Sequence, residues 1–424
     1  MGDGHAADRI VAIIGKKVSL MRESRIRLLV LYANYTDQMS YFGDWSDALR
    51  EHRGFDTTLV DIIPSGARDR IGSALGEVDA VVLLHSTNGD STFHLQRHVP
   101  ALAERRVPLL SFVGNELNLP GKSIATKRQL LKQIGPEWIA SQLLEEAGRY
   151  LFGDLPSRGV VSIPHALNPS AFRPKGDTGG RPVDIGARVM RYPPHIGDDD
   201  RNRIAQRFIQ LGHERGIRVD ISHQRHDRPG WANFLNRCKG TVSTEAGSWF
   251  LERDDATVNA IRRRTREQVG GVEISDDSML LKLAYRLPAS LRKLAARLYG
   301  AAGGHFEYQT VAEEVIPYET IHAQYFAGKP KAPVYGKCIS SRHFDAVGTK
   351  TCQIMFRGRF NDILEAERHY LALDSDFANL DEVLRQFGDA AERRIIVETA
   401  HAHVMEAHTY AHRVQKIETI LRQT

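Results

Sequence analysis

The stretch VDIGARVMRYPPHIGDDDRNRIAQRFIQLGHERGIRVDIS, residues 183–222, decides the fold. VDIGARVM (183–190) is a short apolar run of strand length. DDDRNRIAQRFIQLGHERG (198–216) has acids in its first turn and a glycine at its end, the start and stop marks of a helix. RVDIS (218–222) is a second apolar run. Strand, helix and strand in succession form the unit from which parallel sheets are wound.

Outward from this unit the alternation persists. Toward the C-terminus, TVSTEAG (241–247), PVYGKCI (333–339), CQIMF (352–356) and YLALD (370–374) read as short strands. DEVLRQFGD (381–389) and one long segment, ERRIIVETAHAHVMEAHTYAHRVQKIETILRQ (392–423), read as helices. Toward the N-terminus, IRLLVLYAN (26–34), TTLVDII (57–63), DAVVLLHST (79–87) and VPLLSFVGN (107–115) read as buried parallel strands. Helix-like stretches such as WSDALREHRG and FHLQRHVPALAERRV separate them. VVSIPHALNPSAFRP (160–174) and KGDTGGRP then form a strand, a Pro-Asn-Pro turn anchored by Phe172, and a Gly-rich break. The expected architecture is α/β, two Rossmann-like domains in tandem over 1–172 and 173–424, with a long C-terminal helix.

A helical insertion is expected at about 255–330. Within it, LLKLAYRLPASLRKLAARLYG (280–300) lines up Leu280, Ala284, Leu287, Leu291, Leu294 and Leu298, with four basic residues off that stripe. It reads as helices packed on the domain and kinked at Pro288, or as a basic amphipathic surface for anionic lipid or a partner.

Composition excludes several classes. The 424 residues are 42% hydrophobic and 26% charged, without low-complexity tracts, so a folded chain is expected. No apolar run approaches the roughly 20 residues of a membrane span. Acids precede the N-terminal apolar patch, against a signal peptide. Cys238, Cys338 and Cys352 lack close pairing, which fits a reducing cytoplasm. A net charge of +5 suits an anionic ligand, an anionic membrane or nucleic acid without choosing among them. No G-x-G-x-x-G follows the first strand, and neither a P-loop nor a G-x-S-x-G elbow occurs.

In open α/β sheets, ligands sit beyond the carboxyl ends of the strands. Polar residues there include His85 to Asn88, Asn115 and Glu116 in the first half, and Arg188, Thr244 and Glu245 in the second. SSRHFDAVGTKTCQIMF (340–356) adds Arg342, His343, Asp345 and Thr349. Two readings stand for that segment. Ser341 caps a helix whose Asp345 complements the dipole, or the helix start binds an anion. In the second reading, Arg342 offers a fork for a diphosphate and Asp345 accepts ribose hydroxyls. Asp198 to Asp200 read as helix-capping acids and not as a metal site. His401, His408 and His412 read as a helix-packing stripe.

SSRHFDAVGTKTCQIMFRGRFNDIL, HYLALDSDFANLDEVL and AHTYAHRV resemble the C-terminal domain of group 1, family 4-like glycosyltransferases of the GT-B fold, in the bacterial spore-maturation-type branch. VDIGARVMRYPPHIGDDDR, WANFLNRCKGTVSTEAGS and the junction IPHALNPSAFRP share the resemblance. It implies two domains facing a cleft. The second would bind a nucleotide-diphosphate sugar through Arg188, Glu245, Lys337, Arg342, His343, Asp345 and Thr349, and the first an unidentified acceptor. Glu116, with Asn115, would serve the acceptor hydroxyl as general base. No bound metal or other cofactor would be needed, since helix dipoles and cations meet the diphosphate charge. The family's Glu-x7-Glu pair departs here to Lys337 and Asp345, and Lys337 would then contact phosphate. No nucleic-acid partner is implied, and 280–300 would provide any peripheral contact at the inner membrane face. The competing functions are a GT-B isomerase or phosphorylase-like enzyme and a non-catalytic nucleotide-sugar-binding scaffold.

Overall fold

A computed structural model describes residues 25–35, 40–89, 91–269 and 316–424. The 280–300 stretch proposed for membrane contact lies outside these residues.

The first sheet contains β1 (Ile26–Tyr32), β2 (Phe55–Asp61), β3 (Ala80–Leu83), β4 (Leu109–Phe112), β5 (Trp138–Ser141) and β6 (Gly159–Ser162), in the order β2-β1-β3-β4-β5-β6. All five pairings are parallel. Central strands carry apolar side chains on both faces, and β3 and β4 are buried throughout. Helices α1 (Ser40–Glu51), α2 (Ala67–Leu75), α3 (Ile124–Ile134) and α4 (Glu145–Phe152) accompany the sheet. In α3, Ser123 caps the start by accepting from Thr126 N, and Gly135 ends it at φ 59°.

The second sheet contains β7 (Val183–Arg188), β8 (Val219–Ser222), β9 (Cys238–Ser243), β12 (Cys352–Phe356) and β13 (Leu371–Leu373), in the order β13-β12-β9-β7-β8, again parallel. A two-residue antiparallel pair, β10 (Ala246–Gly247) with β11 (Lys337–Cys338), lies apart from it. Around these run α5 (Asp200–Arg215), α6 (Arg228–Leu235), α7 (Ala256–Val269), α8 (Tyr318–Tyr325), α9 (Ser341–Gly348), α10 (Leu380–Gly388), α11 (Ala390–Ala407) and α12 (Tyr410–Arg422). The opening βαβ reading thus corresponds to β7, α5 and β8.

The single long C-terminal helix expected from the sequence is two helices. α11 ends at Ala407, and Thr409 starts α12 with a capping box. His412 Nδ1 accepts from Thr409 N at 3.3 Å and lies 2.7 Å from its hydroxyl. Leu167 occupies the break, donating to His408 O at 3.0 Å and accepting from Tyr410 N at 3.0 Å. The break lets the chain cross between domains. Tyr410, Val414, Ile417, Ile420 and Leu421 of α12 share one core with Leu28, Val30, Trp45 and Leu49 of the first domain. The sheets end at Ser162 and resume at Val183, and α12 carries the 173–424 half back across that division.

Candidate functional site

In the second sheet the chain steps from β7 to β8 on one side and then returns to β9 on the other. The point between β7 and β9 is the topological switch, where α/β sheets open a crevice beyond the strand ends. A shallow recess with a cavity volume of only about 10 Å³ lies there, lined in part by Arg188, Trp231, Ser243, Arg342 and Gln353.

Arg342 occupies the first turn of α9 and is half-buried. It makes no hydrogen bond or ion pair among the described residues. Burial, then the neighbouring Arg201 cation, lowers its pKa to about 10, so it stays charged at neutral pH. Arg201 is itself buried, stacked 3.7 Å over Tyr192 and bonded to its hydroxyl at 2.7 Å. Arg188, at the end of β7, pairs with Asp220 at 2.8 Å and lies 3.7 Å over the Phe234 ring. The recess therefore brings together two of the arginines singled out in the sequence, Arg188 and Arg342. Arg201 repels Arg342, and Asp345 partly offsets that repulsion.

The remaining sequence candidates in α9 have structural partners. The helix cap is Ser340 and not Ser341: His343 Nδ1 accepts from Ser340 N at 2.9 Å in a capping box. His343 is buried, and burial first, with Arg342 and Arg201, lowers its pKa to about 3. A neutral, internal imidazole has no charge to offer a donor. Asp345 is 2% exposed and accepts from Trp231 Nε1 at 2.9 Å. It follows Arg342 by three residues, so both lie on one helical face. Thr349 is at the other end of α9, where its hydroxyl donates to Asp345 O at 3.1 Å. Eight helical residues span about 12 Å, which separates Thr349 from the arginine recess.

Lys337 is also corrected by its partners. Its ammonium lies 2.5 Å from Asp198 Oδ2 and 2.8 Å from Asp200 Oδ2, and 4.9 Å over Trp249. It neutralises the acidic run at the start of α5 and is not aimed at a phosphate. Glu245 is equally committed. Oε2 accepts from the Tyr335 hydroxyl at 2.5 Å and Oε1 from Phe360 N at 2.6 Å. These bonds clamp a loop in which Phe360, Asn361 and Asp362 all have φ between 44° and 57°. Three successive non-glycine residues in the left-handed region need such a hold. A side chain at Gly358 would stand 2.3 Å from Glu245 Oε2, so a larger residue there would have to displace the Glu245 carboxylate from its clamp.

On the first domain, Glu116 follows β4 and is 4% exposed. Oε2 accepts from Gln142 N at 2.8 Å, Oε1 has no hydrogen-bond partner among the described residues, and the nearby Ser141 hydroxyl favours the carboxylate. Burial raises its pKa to about 7. Glu116 and Glu245 both raise the Cys338 thiol, after burial, so the two acids flank Cys338 from opposite domains. Asn115 has φ 46°, and its carbonyl accepts from buried Lys127 at 2.9 Å. No described contact joins Glu116 to the arginines.

Sequence reading missed Arg201, Trp231, Ser243 and Gln353. Two left a trace. Arg201 falls on the buried stripe of α5 with Ile204, Ala205, Phe208 and Leu211. Gln353 interrupts the otherwise apolar strand CQIMF, buried at every position.

Among known proteins, residues 282–419 match the model of the glycosyl transferase-like family, about a third of the chain. No curated protein sequence matches. An α-glucosyltransferase solved with UDP and a 13-mer DNA containing an HMU base superposes with a TM-score of 0.53 at 8% identity, covering 94% of this chain and 100% of that one. Anabaena HepE with UDP-glucose gives a TM-score of 0.49 at 9% identity, with the same coverage. Sucrose-phosphate synthase from Thermosynechococcus elongatus gives 0.45 at 13%, covering 94% and 98%. The chain has the two-domain GT-B fold of glycosyltransferases, and its C-terminal part is glycosyl transferase-like in sequence.

Proposed function

We propose that this protein is a glycosyltransferase that moves a sugar from a nucleotide-diphosphate donor to an acceptor. The observation that carries the reading is Arg342. It is a half-buried cation with no hydrogen bond or ion pair among the described residues, set in the first turn of α9 beside Arg188 at the switch point of the second sheet, with Asp345 the nearby acid. A partly buried cation beside a second arginine, offset only by the nearby Asp345, gains from meeting a further anion. The free N–H groups of the helix start add to the same field. A leaving nucleoside diphosphate develops charge at its phosphates, and preorganised cations stabilise that charge without reorganising. Asp345, on the Arg342 face of α9, is the ribose acid of this reading. Glu116 is its acceptor-side base, supported by its unpartnered Oε1 and its pKa of about 7. Asn115 shapes the turn that carries it.

Transfer proceeds without a bound metal in this proposal. Asp198 and Asp200, the acids best spaced to hold one, are engaged with Lys337. The finer assignment, to the bacterial spore-maturation-type branch, is supported by the motifs around 340–364 and 369–384. A cytoplasmic location, with peripheral membrane contact through 280–300, belongs to the same proposal. No helix among the described residues is long and apolar enough to cross a membrane.

The test is a thermal-shift panel of UDP-, GDP-, ADP- and TDP-sugars, followed by turnover of the stabilising donor in EDTA. At least one donor should raise the melting temperature, and turnover should survive chelation. No shift with any donor would end the donor reading. Activity abolished by EDTA and restored by manganese would end its metal-independent form.

A further inference from the structure

Arg188 and Asp345, two of the side chains assigned to the donor, are both held by α6. Trp231 of α6 donates from Nε1 to Asp345 Oδ2 at 2.9 Å. Phe234 of α6 lies under the Arg188 guanidinium at 3.7 Å, and His226, just ahead of the helix, accepts from Arg188 Nε at 3.2 Å. The His226 and Phe234 rings stack at 5.8 Å and 19°. Trp231 and Phe234 are one turn apart on a helix of eight residues, so a shift of α6 moves both supports together.

The start of α6 is fixed from the other domain. Arg228 Nη1 donates to Asp44 Oδ1 at 2.9 Å and to Asp47 Oδ2 at 2.7 Å, and the two acids are one turn apart on α1. Asp44 is 1% exposed, and its Oδ1 also accepts from Asn168, in the junction between the domains, at 2.7 Å. Burying a carboxylate is costly unless a cation meets it, and Arg228 does so here. Arg228 precedes Trp231 by three residues, so the anchored side chain and the one that holds Asp345 share a helical face. Asp227 caps the same turn by accepting from Gly230 N at 2.9 Å, which makes the anchored end a formed turn of helix. Neither Asp44 nor Asp47 is bonded to Arg188 or Arg342 among the described residues.

We infer that Arg228 is a positioning residue: by anchoring α6 to Asp44 and Asp47 of the first domain, it sets Trp231 and Phe234, and through them Asp345 and Arg188, for the nucleoside diphosphate of the donor. Affinity at a site in one domain then depends on two acids of the other. This inference rests on the nucleotide-sugar reading of the recess.

The experiment is calorimetry on the full chain with UDP, GDP, ADP and TDP, for the parent, Arg228→Gln, Asp44→Asn, the double variant of these two, and Glu146→Gln. Glu146 pairs with Arg359 at 2.8 Å, a second bridge between the domains that does not involve α6. For whichever diphosphate the parent binds, Arg228→Gln and Asp44→Asn should each weaken binding about fivefold or more, the lower range of coupling between distinct sites. The double variant should lose no more than the worse single one, because both break one link. Glu146→Gln should bind as the parent does. If Arg228→Gln does not fold, Asp44→Asn and Asp47→Asn, which keep the side-chain shape, carry the same comparison. Parent-like affinity in these variants, whatever their melting temperature, would reduce Arg228 to a bridge that only stabilises the domain pair. Tighter binding in Asp44→Asn would show that Arg228 touches the ligand itself. Equal losses in Glu146→Gln would mean that any contact between the domains serves, and additive losses in the double variant that the two residues act apart. Each of these results overturns the inference while the donor reading stands. If no diphosphate binds the parent, the donor reading fails and takes this inference with it.

Discussion

At the scale of single residues, burial and charge are matched in most of this protein and mismatched at a few places. Arg342 is one such mismatch, and its substitution separates binding from folding. Arg342→Ala removes a cation with no hydrogen bond or ion pair among the described residues, and it relieves the repulsion with Arg201 along with the weaker attraction to Asp345. The melting temperature should therefore hold or rise. Nucleoside-diphosphate affinity should fall about 10- to 150-fold, the worth of a charge-assisted hydrogen bond, while free nucleoside binds as before. Calorimetry with both ligands checks this, and equal affinities for parent and variant would refute it. Glu116 is the second mismatch. Burial holds its pKa near 7, so its basic form accumulates as pH rises through neutrality. Turnover should rise with pH across 6 to 8, and Glu116→Gln should lose about 10²-fold along with that dependence. A variant with the parent's rate and pH profile would leave Glu116 as a loop acid bonded to Gln142.

At the scale of elements, two helices begin in the same way. Ser340 starts α9 and Thr409 starts α12, each with histidine three residues on in place of the usual Glu or Gln. The imidazole must be neutral to accept from the cap N–H, and the pKa of about 3 at His343 keeps it so. The functional consequences differ. Ser340 holds the turn that presents Arg342, whereas Thr409 holds the break that returns the chain to the first domain. Ser340→Ala and Thr409→Ala should each cost about 0.5–2 kcal/mol in denaturant unfolding. Only Ser340→Ala should also weaken nucleoside-diphosphate binding. Equal binding losses in both variants would mean that the cap at α9 has no special link to the site. The expected helix over 392–423 failed because its apolar periodicity runs through the break. The Thr-x-x-His signal is short and lies within a segment otherwise rich in helix formers.

At the scale of the whole molecule, the domains are tied by α12 and by charge. Arg228, at the start of α6, reaches Asp44 at 2.9 Å and Asp47 at 2.7 Å on the first domain. Asp44 is 1% exposed, and burial raises its pKa to about 6 despite these contacts. Histidines dominate the pH response. Burial lowers His85 well below the ordinary value, His165 and His343 to about 3, and His195, His369 and His408 to about 4. Each remains neutral in the fold while the unfolded chain takes up a proton below about 6.5. Their stabilisation is therefore complete above that pH and is lost as pH falls toward 4. Glu116, Asp44, Asp199 and Glu245 act in the opposite sense, because their folded pKa values are raised, but they are four groups against eight, since burial lowers His98 and His401 as well. The unfolding midpoint should drop steeply between pH 6.5 and 4, each unbalanced histidine contributing about 1.4 kcal/mol per unit. A midpoint flat over that range would show that these histidines are hydrated in solution.

The alternation of strand and helix, the two-domain GT-B architecture and the placing of Arg188 and Arg342 just beyond strand ends were legible in the sequence. Each depends on local pattern: apolar runs of strand length, acid-to-glycine helix limits, and cations placed just beyond strand ends. Other features were decided only by the tertiary structure. Lys337 meets Asp200 across 137 residues of chain, Tyr335 meets Glu245 across 90, and Arg228 meets Asp44 across 184. No spacing rule links such positions, because they become neighbours only when the sheets are wound and packed. The same holds for Gln353. Its side-chain type and its apolar strand can be read from the sequence, but its unpaired amide exists only because β9, β12 and α6 enclose it. Local periodicity set the elements, and long-range packing determined which of their polar groups were paired within the fold and which were not.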